Sequence, residues 1–151
     1  MNHVNRIKNE FKNEKNKRPS SKCDIISIKY SKQDANIHFT YKNQSVFVYV
    51  ESYYPFQPPR SVIINNILYN GKLKSSYEAN EYFKINMNIE CMCCDTCLCS
   101  DKWTPTKHLF DIVDEYLERK HVIDEIRNLN IIKYNTEIPI EIINLIQTFV
   151  L

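Results

Sequence analysis

The stretch Tyr53-Tyr54-Pro55-Phe56-Gln57-Pro58-Pro59 places three prolines within five residues. Each proline fixes its own φ and lacks an N–H, so this stretch cannot be the interior of a helix or of a paired strand. The residues before the prolines are also held out of the helical region. A rigid, extended crossing must therefore join the elements on either side. Upstream, three runs read as strands. Residues 24–30 are rich in isoleucine. Residues 36–41 put Ile37, Phe39 and Tyr41 on one face. Residues 45–51 put Val46, Val48 and Val50 on one face and Phe47 and Tyr49 on the other. The links 31–34 and 42–44 are short and polar, which favours antiparallel neighbours and predicts a meander. Residues 60–65, just past the prolines, supply a fourth strand.

Helical spacing brackets this sheet. Val4, Ile7 and Phe11 predict an amphipathic helix over 3–17, broken at Arg18-Pro19-Ser20-Ser21. Leu109, Ile112, Val113, Tyr116, Leu117, Val122, Ile123 and Ile126 form an apolar stripe that predicts a long helix over 105–129. Thr104 is its expected cap, with Pro105 at the first helical position. A last helix is expected over 138–151, beginning at Pro139 and running through Ile142, Ile143, Ile146 and Val150. Residues 66–90 are polar and show no clear period, with Asn70-Gly71 as a turn signal. The expectation is one α+β domain over 1–151, with its core in 3–129 and a four-stranded antiparallel sheet.

Charge and composition exclude several functions. A net charge of +2 argues against nucleic acid as the main partner. The basic residues that do cluster are N-terminal: Arg6, Lys8, Lys12, Lys15, Lys17 and Arg18. Gly71 is the only glycine, which excludes glycine-rich phosphate loops. No run is long and apolar enough to span a bilayer, and no apolar leader core opens the sequence. The expectation is a protein of a reducing compartment, with no membrane partner and with cysteines that are free or metal-bound.

Five of the six cysteines fall at Cys91, Cys93, Cys94, Cys97 and Cys99, and Trp103-Thr104-Pro105 follows closely. They are too crowded to staple distant segments. Two uses compete. A thiolate can be a nucleophile. Alternatively, Cys94-Asp95-Thr96-Cys97 has the spacing of a zinc knuckle, with Cys91 or Cys99 as third ligand and the remaining cysteine or His108 as fourth. The usual second, distant cysteine pair is missing. Trp103 is expected to anchor the loop to the core. His38 reads as a satisfied sheet residue, and His121 as exposed on the long helix.

Three segments carry a resemblance. Arg6-Ile7-Lys8-Asn9-Glu10-Phe11 is similar to the first-helix motif of the ubiquitin-conjugating enzyme family. Tyr54-Pro55-Phe56-Gln57-Pro58-Pro59 is close to that family's Tyr-Pro-Phe-x-Pro-Pro. Cys93-Cys94-Asp95-Thr96-Cys97 with Trp103-Thr104-Pro105 resembles its Cys-Leu-Asp-Ile-Leu followed by Trp-Ser-Pro. The resemblance covers residues 3–129, and the crowded cysteines look like divergent viral members. It implies a modifier, ubiquitin or a relative, carried on a cysteine as a thioester and passed to a lysine, without a cofactor. Cys93 is the implied acceptor, with Cys91 and Cys94 as runners-up. The implied partners are an activating enzyme docking on Arg6, Lys8 and Lys12, and a ligase, in the cytoplasm or in a host cytosol or nucleus. The family's His-Pro-Asn tripeptide is not present. Tyr69-Asn70-Gly71 stands near its place, and residues 72–88 look inserted. Asn70, Asn86 or Asn88 would then have to supply the amide donor for the oxyanion. The alternatives are an inactive member of the fold or an RWD-type binding module, and an interaction domain with a zinc-bound cysteine loop.

Overall fold

The computed structural model describes residues 3–18, 23–135, 139, 141, 142, 144, 145 and 148. In chain order the elements are α1 (His3–Lys17), β1 (Cys23–Tyr30), β2 (Asp34–Tyr41), β3 (Gln44–Glu51), β4 (Ser61–Ile64), β5 (Ile67–Tyr69), α2 (Tyr77–Asn86) and α3 (Leu109–Asn135). The protein is α+β, and its strands form one antiparallel meander in sequence order. The sheet has five strands rather than the four expected. The chain forms two compact units, one from Met1–Lys72 and Met92–Glu115, the other from Leu73–Cys91 and Tyr116–Leu151.

The first unit holds the sheet. Two of its hairpins turn on residue pairs with positive φ: Lys42-Asn43 at 48° and 63°, and Asn65-Asn66 at 50° and 65°. Two-residue turns of this hand match the twist of the flanking strands, and asparagine tolerates the conformation. Asn65 also accepts a hydrogen bond from the Ser45 N–H at 2.9 Å, which ties the second turn back to β3. The register aligns Ile37 with Val48, Val48 with Val62, and Val62 with Tyr69, so the buried positions stack across four strands. Ala35, Phe39, Tyr41, Val46, Val50 and Ile64 complete this face.

Val4, Ile7 and Phe11 of α1 and Leu109, Phe110, Ile112 and Val113 of α3 are buried with it. Phe11 meets Phe39 and Phe110 edge-on, with ring centroids 5.0 and 4.9 Å apart. Each such side chain contributes about 1.5–3 kcal/mol when fully buried. The opposite face stays open: His38 stacks on Phe47 at 3.8 Å, and its Nε2 lies 3.1 Å from Ser45 Oγ, as expected of a satisfied sheet residue.

In the second unit, Ser76 caps α2 by accepting from the Ala79 N–H, and Ala79 and Phe83 are buried one turn apart. α3 begins in the first unit and runs on into the second, where Tyr116, Arg119, Val122, Ile123, Ile126 and Leu129 are buried. The expected start at Thr104-Pro105 is corrected. Residues 104–107 form a turn closed by the Lys107 N–H on the Thr104 carbonyl, and the helix opens at Leu109. The reason lies in the donors. The His108 N–H is taken by Asp111 at 2.7 Å and the Leu109 N–H by Glu10 at 3.1 Å, so the first free turn is capped there.

Of the last expected helix, Glu141, Ile142, Asn144, Leu145 and Thr148 are helical, whereas Ile143, Ile146 and Val150 lie outside the described residues. No described helix is long and apolar enough to cross a membrane.

Candidate active site

Glu10 organises one side of the first unit. Its carboxylate is 1% exposed. Oε1 accepts from Arg6 Nε at 2.7 Å and from the Tyr54 hydroxyl at 2.6 Å, and Oε2 accepts from the Leu109 N–H. A buried charge is tolerable only when donors surround it, and three do so here. Burial, and then the negative charge of Glu10, push the Tyr54 phenol up, so it remains a donor. Arg6 continues to the carbonyls of Pro105 at 2.9 Å and Lys107 at 3.4 Å. The Trp103 indole N–H donates to the Pro55 carbonyl at 2.7 Å, and its ring lies 6.0 Å from that of Tyr54. The Tyr54-Pro55 bond is cis. The first helix, the proline crossing and the tryptophan after the cysteines are thus bonded to one another. Trp103 anchors the loop, as expected. Arg6 is spent inside this network; of the three residues implied as a docking face, Lys8 and Lys12 are exposed on α1.

The cysteine loop is a chain of tight turns. The Cys99 N–H bonds to the Thr96 carbonyl, and the N–H groups of Lys102 and Trp103 both reach the Cys99 carbonyl. Asp95 pairs with Lys102 at 2.8 Å. The cysteines separate by exposure: Cys91, Cys93 and Cys94 are exposed, Cys99 is intermediate, and Cys97 and Cys23 are buried. The Cys93 and Cys94 sulfurs are 3.7 Å apart. Burial, reinforced by the carboxylate of Glu115, pushes the Cys97 thiol up to about 12, and burial pushes Cys23 up to about 11. Neither is a thiolate at neutral pH.

Of the zinc set expected from spacing, Cys91, Cys94, Cys97 and Cys99, Cys97 is buried beside Glu115 and Cys99 is intermediate. Within the short run 91–94, the sulfurs of Cys91, Cys93 and Cys94 instead lie within 4.8 Å of one another, close enough that one cation could be held among them.

Glu115 holds the inner side of the loop. Its Oε1 accepts from the Tyr69 hydroxyl and from Thr96 Oγ1, both at 2.6 Å, and its Oε2 accepts from the Cys97 N–H at 2.7 Å. Gly71 lies against Thr96: at φ +86° an added Cβ would stand 2.3 Å from the Thr96 Cβ. Asn70, between Tyr69 and Gly71, is exposed, and its side chain accepts from the Lys72 N–H at 3.2 Å. The other two candidate amides belong to the second unit. Asn86 donates to the Tyr82 carbonyl at 3.4 Å, and Asn88 is exposed at φ 54°.

Glu10, Glu115 and Thr96 were not anticipated from the sequence. One signal for Glu115 exists. It falls three residues after Ile112 and four before Arg119, in line with the buried stripe of α3, where an acid must have partners. No protein-family model, curated protein or solved structure matches the chain, so the site is read from its own residues.

Proposed function

We propose that this protein is a transferase of the ubiquitin-conjugating type, carrying ubiquitin or a related modifier as a thioester on Cys93. The observation that carries the reading is the joining of the three resembling segments. Glu10 binds α1 to Tyr54 and to the start of α3, and Trp103 binds the proline crossing to the loop that exposes Cys93.

In the first step the Cys93 thiolate attacks the thioester carbonyl of the charged activating enzyme. A new S–C bond forms and the activating enzyme's thiolate leaves. In the second step the amine of a substrate lysine attacks the Cys93 thioester. The attacking nitrogen gives up a proton to solvent as the resulting oxyanion collapses, which breaks the C–S bond, expels the Cys93 thiolate and leaves an amide. A neutral amide donor aimed at that oxyanion is worth roughly 3–4 kcal/mol. Asn70 is the donor assigned here, because Gly71 beside it packs on the cysteine loop. Lys8 and Lys12 offer the activating enzyme a basic helix face, and the thiol chemistry fits a reducing compartment.

The test is a charging reaction with activating enzyme, ATP and ubiquitin, resolved on a non-reducing gel. A reductant-sensitive adduct is expected. No adduct with any of several activating enzymes, ubiquitin and ubiquitin-like, contradicts the reading. A second reading is favoured by the grouping of Cys91, Cys93 and Cys94: a binding module of the same fold whose cysteine loop holds zinc. Stoichiometric zinc in the purified protein, with no charging, would select it.

A further inference from the structure

We propose that Glu115 is a positioning residue, setting the distance between the loop that carries Cys93 and the segment that carries Asn70. The proposal rests on the transfer reaction given above.

Three donors converge on this one carboxylate, and they come from two separate stretches of chain. Tyr69 immediately precedes Asn70, whereas Thr96 and Cys97 follow Cys93 by three and four residues. On the other side of Asn70, Gly71 packs directly onto Thr96. Asn70 is therefore bracketed by Tyr69, which Glu115 ties to the cysteine loop, and by Gly71, which packs on Thr96 of that loop. The carboxylate is itself mounted on the rigid first turns of α3.

All three partners are donors: two hydroxyls and a backbone N–H. Thr96 Oγ1 is further committed as an acceptor, taking the Leu98 N–H at 3.2 Å. Only an ionised acid, with acceptor capacity on both oxygens, satisfies such a set. The amide of glutamine would turn an NH2 toward at least one donor. Charge-assisted bonds of 2.6–2.7 Å hold geometry more tightly than neutral ones. Aminolysis needs the nucleophile's thioester carbonyl and the oxyanion donor at a set separation, and a misplacement of about 1 Å can cost about a hundredfold in rate. The same carboxylate holds Cys97 on the inside of the loop, which leaves the exposed end of the run to react.

The experiment compares wild type, Glu115→Gln, Thr96→Val and Thr96→Ser in single-turnover discharge of preformed thioester onto free lysine. Hydrogen exchange of residues 69–72 and 92–99 is followed in parallel. Glu115→Gln is expected to charge, and then to discharge about ten- to a hundredfold more slowly at saturating lysine, with an unchanged half-saturating lysine concentration. Thr96→Val should lose rate in the same way, and Thr96→Ser, which keeps the hydroxyl, should restore it. Exchange should rise in both segments together. Discharge by Glu115→Gln at the wild-type rate, a loss expressed only in the half-saturating concentration, or exchange unchanged in either segment overturns the proposal. If Glu115→Gln does not fold, the Val and Ser variants of Thr96 decide by the same criteria. Failure of the wild type to charge overturns the transfer reaction itself, and the exchange arm then judges by itself whether Glu115 links the two segments.

Discussion

Replacing Gly71 by alanine tests the tightest packing in the site. Two costs can be worked out. First, Gly71 has φ +86°, where an L side chain crowds its own backbone. Occupying that region costs about 1–2 kcal/mol. Second, the new Cβ would stand 2.3 Å from Thr96 Cβ and 2.5 Å from both Cγ2 and Oγ1. Carbon contacts are comfortable at about 3.5–4.0 Å, so more than about 1 Å must be found. Thr96 cannot swing away cheaply: it is 2% exposed and its hydroxyl is held by Glu115. Overpacking of this kind costs about 1–3 kcal/mol. The sum is roughly 2–5 kcal/mol, and at this chain length each kcal/mol moves Tm by about 2–4 °C. Urea and thermal unfolding followed by circular dichroism should therefore show Gly71→Ala lower by roughly 4–20 °C. In a Thr96→Gly background the steric part is gone, and the cost should fall to the backbone part of about 1–2 kcal/mol. A cost below about 0.5 kcal/mol in the wild-type background, or an equal cost in both backgrounds, would refute the packing account.

Glu10→Ala leaves Arg6 Nε, the Tyr54 hydroxyl and the Leu109 N–H without the acceptor they share; urea denaturation should show a loss of about 3–5 kcal/mol. Asn70→Ala should leave charging of Cys93 intact and slow lysine discharge by about a hundredfold, read from single-turnover gels. In native protein, mass-resolved alkylation should label Cys91, Cys93 and Cys94 first, and Cys23 and Cys97 only on unfolding. Stability should also fall in alkali. Burial raises Cys23 to about 11 and Cys97 to about 12 from the ordinary 9.0, so the folded state keeps protons that the unfolded state has released. Their contribution is complete below pH 9.0 and is lost as pH rises through about 11 and 12, which a urea midpoint that falls steadily above pH 9.0 would register.

The alternating strands were legible because one face of the sheet is buried and the other is open. Ile37, Phe39 and Tyr41, and Val46, Val48 and Val50, are all buried, as their spacing predicts. The helix over His3–Lys17 was equally plain, since Val4, Ile7 and Phe11 all face inward. β5 was missed because three residues are too few to show a period; the Asn65-Asn66 turn before it was the readable cue. α2 was missed because only Ala79 and Phe83 of its ten residues are buried, among asparagines and charges that mimic a loop. The start of α3 was misplaced because Thr104-Pro105 has the local chemistry of a cap, whereas the real cap uses Glu10, which lies 99 residues away in sequence. The crowding of cysteines pointed to the site, but spacing alone treated five thiols as equals. What separates them is a carboxylate on α3 that draws Cys97 inward, and that is tertiary information.

The central claim is that Cys93 carries the modifier, and intact mass after charging tests it most directly. Wild-type protein incubated with activating enzyme, ATP and ubiquitin should gain the mass of one modifier and lose it on treatment with thiol. Cys93→Ser should either gain none or gain one as an oxygen ester that resists thiol, while Cys91→Ser and Cys94→Ser behave as wild type. A thiol-labile adduct that persists in Cys93→Ser, or no added mass on the wild type with any activating enzyme, would contradict the account.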